Sequence, residues 1–231
     1  MDYIPYGKQF IDKEDKKSVL NSLSNDLITT GPLVEKFEKE LNKYLKCKYS
    51  YVCSSGTAAI HLAMLAIGLK KDDVILMPAV NFIASYNLAK IMQLKVFLVD
   101  VDEYTGQITP NKIIECIEKN KLIKISVLLT MYMGGFPENV QNLYTLRNKY
   151  KFLIIEDACH ALGSKYLYKK KVFKIGSCKH ADISTFSMHP LKTITSGEGG
   201  IITTNNLKIA KNIKLLRSHG MTKDSNVLTK N

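Results

Sequence analysis

At 231 residues, 45% hydrophobic and 23% charged, the chain can bury one substantial core and has an ordinary globular composition. No apolar run approaches bilayer-spanning length, and Met1 to Tyr6 lacks the basic-then-apolar layout of a signal peptide, so no membrane association is expected and the cytoplasm is the expected compartment. The formal charge of +12 does not point to nucleic acid: 31 of the 33 basic residues are lysines spread along the whole length, without an aromatic-interleaved stripe.

Helical and strand patterns then alternate along the chain. Asp12 to Asn25 reads as an amphipathic helix with Ile11, Val19, Leu20 and Leu23 on one face. Thr29-Thr30-Gly31-Pro32 is turn chemistry leading into a second helix, Val34 to Leu45. Tyr49 to Cys53 is a strand that meets Ser54-Ser55-Gly56-Thr57 and a small-residue helix, Ala58 to Ala66. Strand Asp73 to Met77 stops at Pro78, and helix Ile83 to Met92 follows. Then come strand Val96 to Val101, helix Asn111 to Lys119, strand Ile123 to Leu129, helix Val140 to Tyr150 and strand Phe152 to Asp157. Strand Ile201 to Thr204 and helix Leu207 to Arg217 close the pattern. Short continuous apolar strands imply a sheet covered on both faces: a three-layer α/β/α fold with a mostly parallel sheet. One large domain is expected over residues 1–217, followed by a polar segment over 218–231 that has no closing element.

Five cysteines (Cys47, Cys53, Cys116, Cys159 and Cys178), none spaced C-x-x-C, argue against a disulfide framework and against a structural zinc site. They read as small buried hydrophobes.

In an open α/β sheet, ligands bind beyond the carboxyl ends of the strands, and three groups fall at such ends. Ser54-Ser55-Gly56-Thr57 offers free N–H groups at a helix start, either an anion site or a plain Ser/Thr cap. Ile154 to His160 delivers Asp157 at a strand end with His160 one short turn on. That pair is open to three readings: a metal ligand set short of a third member, a carboxylate facing a protonated ring nitrogen, or an N-cap beside a packed histidine. In the run Ser184 to Gly200, Ser187, His189 and Lys192 crowd around Pro190 before a Gly-Glu-Gly-Gly turn. A lysine held beside buried strand is disfavoured as the ammonium and can attack a carbonyl; the alternative is a surface lysine closing a strand. Together, an anion pocket, a strand-end acid and a turn-held lysine fit pyridoxal 5′-phosphate. No metal is expected.

The motifs S-S-G-T-A-A-I-H-L-A, I-I-E-D-A-C-H-A-L-G-S and F-S-M-H-P-L-K-T-I-T-S-G-E-G-G, in this order, resemble the sugar-nucleotide aminotransferases of the DegT/DnrJ/EryC1/StrS family, from about Ile4 to Gly220. That resemblance implies the fold type I architecture of pyridoxal-phosphate transferases, the aspartate aminotransferase class. I-P-Y-G-K-Q, L-I-T-T-G-P, H-A-L-G-S-K-Y and R-S-H-G-M are similar to its pseudaminic acid branch. That branch moves an amino group from glutamate to the 4-keto carbon of a UDP-linked 4-keto-6-deoxy-N-acetyl-hexosamine.

By this resemblance Lys192 joins the cofactor aldehyde and shuttles the proton, and Asp157 holds the ring nitrogen protonated. Gly56, Thr57 and Ser187 bind the phosphate, Phe82 stacks on the ring or else belongs to the core, and His160 approaches the 3′-oxygen. Tyr6 and Thr30 fall among the substrate contacts. A homodimer with shared sites is implied.

Two departures stand out. Met131-Tyr132-Met133-Gly134-Gly135-Phe136-Pro137 replaces a stretch that usually carries a His or Tyr before a single Gly. The family also continues past Asn231 into a G-x-N-Y/F-R segment, whose Asn reaches the neighbouring subunit's phosphate, and into a small C-terminal domain. The chain is therefore expected to be an N-terminal portion. Rival readings are a catalytically inactive fragment or dimerisation partner, and a sugar dehydratase; relatives of the latter kind carry histidine where Lys192 stands.

Overall fold

The computed structural model describes residues 4, 5 and 7–221. In chain order its elements are α1 (Lys13–Leu23), α2 (Pro32–Leu45), β1 (Tyr49–Cys53), α3 (Gly56–Ala66), β2 (Val74–Pro78), α4 (Ala84–Ile91), β3 (Lys95–Val99) and α5 (Pro110–Lys119). There follow β4 (Val127–Met131), α6 (Val140–Tyr150), β5 (Leu153–Asp157), β6 (Lys165–Tyr168), β7 (Lys171–Lys174), β8 (Ile183–Ser187), β9 (Gly200–Thr204) and α7 (Leu207–Arg217).

Seven strands form one sheet in the order β1-β9-β8-β5-β4-β2-β3. Strands β8, β5, β4, β2 and β3 run parallel; helical crossovers make β2, β3, β4 and β5 parallel, and the connection carrying the β6–β7 hairpin brings β8 in beside β5. Only β9 runs against both of its neighbours, β8 and β1. Because it reverses direction twice over, β1 points the same way as β8. The carboxyl ends of β1, β2, β4, β5 and β8 therefore share one edge.

Side-chain alternation divides the core into layers. Ile75, Met77, Val127, Leu129, Ile155, Ile183 and Ile202 pack with Ala59, Ile60, Ala63 and Met64 of α3, and with α4 and α7. Leu76, Leu128 and Ile154 face the other way, onto Ile113 and Ile117 of α5 and Leu143 and Leu146 of α6. A third cluster joins α2 to Phe186, Ile201, Tyr132 and Tyr166. The alanines let α3 lie close to the sheet, which matters below because its first residue is a wall of the site. Burying each large aliphatic side chain contributes about 1.5–3 kcal/mol.

Three local outcomes differ from expectation. The strand expected over Ile123–Leu129 begins at Val127. The apolar run misleads there, because Ile123 is fully exposed and strand pairing starts only once Ser126 has bonded Asp73 and the Val74 carbonyl. The β6–β7 hairpin was not anticipated: its two-residue turn is Lys169-Lys170, both at left-handed φ of 47° and 61°. Such turns favour Asn-Gly, so two lysines give no turn signal. Finally, α1 is well capped by Asp12 and Asp15 yet buries no side chain, leaving Val19, Leu20 and Leu23 exposed. No helix among the described residues is long and apolar enough to cross a membrane.

Candidate active site

Asp157 is the last residue of β5 and only 3% exposed. Counting by twos from Ile155, which packs with α3, its side chain lies on the α3 face of the sheet. One carboxylate oxygen accepts the Cys159 N–H at 3.1 Å. Burial pushes the acid above the ordinary carboxylate range; the adjacent Cys159, then His160 and Lys192, work against that rise. Among the described residues Asp157 has no ion-pair partner. A buried carboxylate in that condition is set up to take a cationic partner.

The α3 N-terminus meets this carboxylate's surroundings directly. Ser55 caps the helix, accepting from the Ala58 N–H at 3.1 Å. The cap therefore uses Ser55 alone, and the buried Gly56 and exposed Thr57 head the first turn. A Cβ on Gly56 would stand 2.8 Å from the Ser187 Cβ and 3.1 Å from the Cys159 Sγ. That close approach brings the ends of β1, β5 and β8 together, and it requires glycine.

Ser187 ends β8, nearly buried, with its hydroxyl accepting the His189 N–H at 3.3 Å. The connection to β9 hangs from Met188: its N–H donates to the Gly199 carbonyl at 2.8 Å, and its carbonyl accepts from Thr195 Oγ1 at 2.9 Å and the Ser196 N–H at 3.1 Å. Lys192 sits at the head of this tied loop, its N–H donating to the His189 carbonyl at 2.9 Å. It is half-buried. Its charge nevertheless acts on Asp157, Cys159 and His160.

The remaining expected residues are placed less tightly. His160 is exposed; burial of its ring and the Lys192 charge hold its pKa below the ordinary histidine value. Phe82 is 65% exposed on the connection after β2, which removes the core reading for that side chain. Thr30 lies exposed in the turn before α2, at a left-handed φ of 50°, with no hydrogen bond to the cluster. Tyr6 lies outside the described residues. The next residue, Gly7, packs against the Leu191 side chain beside Lys192, with no room there for a side chain of its own. No group of three or more metal-ligating side chains occurs among the described residues, so the Asp157–His160 pair finds no third ligand there.

Composition alone did not reveal Cys159. Read as a buried hydrophobe, it is instead a partly exposed thiol lodged between Asp157 and Gly56, and burial beside the carboxylate pushes its pKa far up. Its position two residues after a strand-end acid was the available signal. Tyr132 and Glu156, likewise unforeseen, form a buried pair at 2.7 Å on the far face of β5.

Comparison with known proteins shows the family. Residues 9–231 match the model of the DegT/DnrJ/EryC1/StrS aminotransferase family. A Campylobacter jejuni protein named UDP-4-amino-4,6-dideoxy-N-acetyl-beta-L-altrosamine transaminase is 38% identical over 220 residues, 95% of this chain and 56% of that protein. Among solved structures, NtdA from Bacillus subtilis with bound cofactor PMP has a TM-score of 0.80 at 32% identity, over 96% of this chain and 49% of that one. Helicobacter pylori PseC, an aminotransferase involved in the biosynthesis of pseudoaminic acid, has a TM-score of 0.84 at 28% identity, over 97% and 58%. The chain thus spans between 49% and 58% of the length of these relatives.

Proposed function

The chain belongs to the DegT/DnrJ/EryC1/StrS aminotransferase family, and on that premise we propose that it supplies the large, cofactor-binding domain of a nucleotide-sugar transaminase. The cofactor is pyridoxal 5′-phosphate. The observation that carries this reading is the meeting of Gly56, Ser187, Asp157 and Lys192 at one sheet edge. The residues fit the group: a glycine cradle under a helix N-terminus suits a phosphate, and a buried carboxylate without an ion-pair partner suits a protonated ring nitrogen.

When bound, pyridoxal phosphate supplies an electrophilic aldehyde and a ring able to take up electron density from an amino-bearing carbon. The chain's own residues do the rest. The N–H groups of Gly56 and Thr57, the Thr57 hydroxyl and the Ser187 hydroxyl bind the phosphate. Asp157 keeps the ring nitrogen protonated. Phe82 would stack on the cofactor ring, and His160 would contact its oxygen substituent. Lys192 would hold the cofactor through its amine and would be the base that moves a proton at the reacting carbons.

The net exchange passes the amino group of glutamate to the 4-keto carbon of a UDP-linked 4-keto-6-deoxy-N-acetyl-hexosamine, and 2-oxoglutarate leaves. The similarity to the Campylobacter transaminase supports that substrate class, and Lys192 weighs against the dehydratase reading. Tyr6 and Thr30 are assigned to the sugar side. We assign the active form to a cytoplasmic homodimer with shared sites.

The test is direct. Adding pyridoxal phosphate to the 231-residue chain should give a visible absorption band, and borohydride reduction should fix the cofactor's mass on the Lys192 peptide. Lys192→Ala should abolish both. A chain that shows neither signal loses this reading; a band without glutamate-dependent amination of the ketosugar would favour the inactive-fragment alternative.

A further inference from the structure

From Met188 to Gly199 the chain forms neither helix nor strand, so hydrogen bonds and packing alone fix where the Lys192 amine stands. Between Leu191 and Glu198 only Lys192 and Thr195 are not exposed. Thr195 joins the two arms of this loop through one hydroxyl. It donates to the Met188 carbonyl at 2.9 Å on the incoming arm and accepts the Gly197 N–H at 3.0 Å on the outgoing arm. The anchor itself is firm. Met188 is buried, its N–H donates to the Gly199 carbonyl at 2.8 Å, and Gly199 lies against the Met188 side chain with no room for one of its own. The remaining ties of the loop to Met188 are backbone bonds that most residues could make; the bridge between the arms belongs to the threonine side chain.

We propose that Thr195 is a positioning residue for Lys192: its hydroxyl clamps the loop onto Met188 and so holds the lysine amine at the sheet edge where Asp157 and Ser187 end their strands. The inference rests on the pyridoxal-phosphate reading of the site. Both partners of the hydroxyl are backbone groups, so Thr195 acts through the shape of the loop. Shape matters here, because a misplacement of about 1 Å in a reacting group can cost on the order of 10²-fold in rate. Serine keeps the bridging hydroxyl, valine keeps the bulk without it, and alanine removes both.

The experiment compares the wild type with Thr195→Val, Thr195→Ala and Thr195→Ser, with and without Lys192→Ala, each mixed with pyridoxal phosphate. Thr195→Val should slow the growth of the visible band and of the borohydride-fixed mass about tenfold, weaken cofactor affinity severalfold in equilibrium dialysis, and move the pH midpoint of the band. Thr195→Ala should do the same, and it answers the question should the valine chain not fold. Thr195→Ser should restore every reading. In the Lys192→Ala background the valine change should leave dialysis affinity as it was, as expected of a residue acting through Lys192.

An unchanged rate and midpoint in Thr195→Val, or a loss of affinity that persists without Lys192, overturns the proposal. So does a lowered melting temperature with the Lys192 readings intact, which would make Thr195 a structural residue only. A wild type without any band instead overturns the cofactor reading. Thr195 is then decided on the cofactor-free chain by acetylation with an N-hydroxysuccinimide ester, read peptide by peptide. Half-buried Lys192 should react more slowly than exposed Lys208 in the wild type and in Thr195→Ser, and nearly as fast as Lys208 in Thr195→Val. A ratio that does not move sinks the idea.

Discussion

Glu156 and Asp157 are adjacent on β5 and equally buried at 3% exposure, yet the two faces of the strand treat them differently. Glu156 accepts from the Tyr132 hydroxyl at 2.7 Å and from the Ser184 hydroxyl. Asp157 has the Cys159 N–H and the electrostatic help of the neighbouring His160 and Lys192. Both acids are pushed up by burial, but only Glu156 has its oxygens occupied by the protein. A buried carboxylate with a full set of donors holds a fold together; one with an oxygen in reserve is placed for a ligand. The period of the strand makes this division possible, since successive side chains face opposite layers.

The largest expected effect comes from breaking the ligand face. Asp157→Asn should cut amination on the order of 10²-fold or more, because the ring nitrogen loses its anionic partner. The same change should leave the cofactor-free chain about 1 kcal/mol more stable, since a costly buried charge goes with it. A loss of stability in thermal melts would show Asp157 to be structural and erase the contrast. Glu156→Leu should do the opposite: about 3 kcal/mol of stability lost as Tyr132 and Ser184 are left without an acceptor, and cofactor affinity held within about threefold.

Acid titration sharpens the comparison next. Both carboxyls are raised in the folded chain, so between the ordinary carboxylate range and the raised values the folded state binds more protons than the unfolded one. Their contribution is most favourable below the ordinary range, and stability falls as pH rises through that window, then levels off. Each group adds a slope of at most about 1.4 kcal/mol per pH unit. Glu156→Gln should flatten the profile whether or not cofactor is present. Asp157→Asn should flatten it only in the cofactor-free protein, because a cationic ring nitrogen already returns Asp157 to its charged form. Melting midpoints across pH, with and without pyridoxal phosphate, decide the matter.

Much of this was legible in the chain. The strand endings at Cys53 and Asp157 followed from short apolar runs closed by polar residues, and the motif order pointed to Gly56, Asp157 and Lys192 as groups at strand ends. What stayed hidden depends on long-range packing. Nothing local says that Gly56 must be glycine to admit Ser187 and Cys159, which are more than a hundred residues away. The exposure of Phe82 and the half-burial of Lys192 are likewise properties of the assembled edge. The amphipathic α1 shows the reverse limit: its periodicity predicted a helix correctly but not whether anything in this chain would cover it.

The smallest effect gives the sharpest test, because it compares two serines of one strand. Ser184 shares a face with Glu156, is fully buried, donates to that carboxylate and lies 3.5 Å from the Cys178 sulfur. Ser187 falls on the Asp157 face against Gly56, and its hydroxyl accepts one long bond from the His189 N–H at 3.3 Å. Ser184→Ala should cost about 1 kcal/mol and, by removing a donor to the charged form, push Glu156 further up, carrying the falling limb of the pH–stability profile to higher pH. Ser187→Ala should leave stability within about 0.5 kcal/mol and weaken pyridoxal phosphate severalfold, the loss of one neutral-to-charged hydrogen bond. Melting curves and cofactor titrations of the two variants read both quantities. Equal stability costs with equal cofactor affinities would mean that the faces of the strand are not divided between fold and ligand. Opposite responses would locate that division between residues three positions apart.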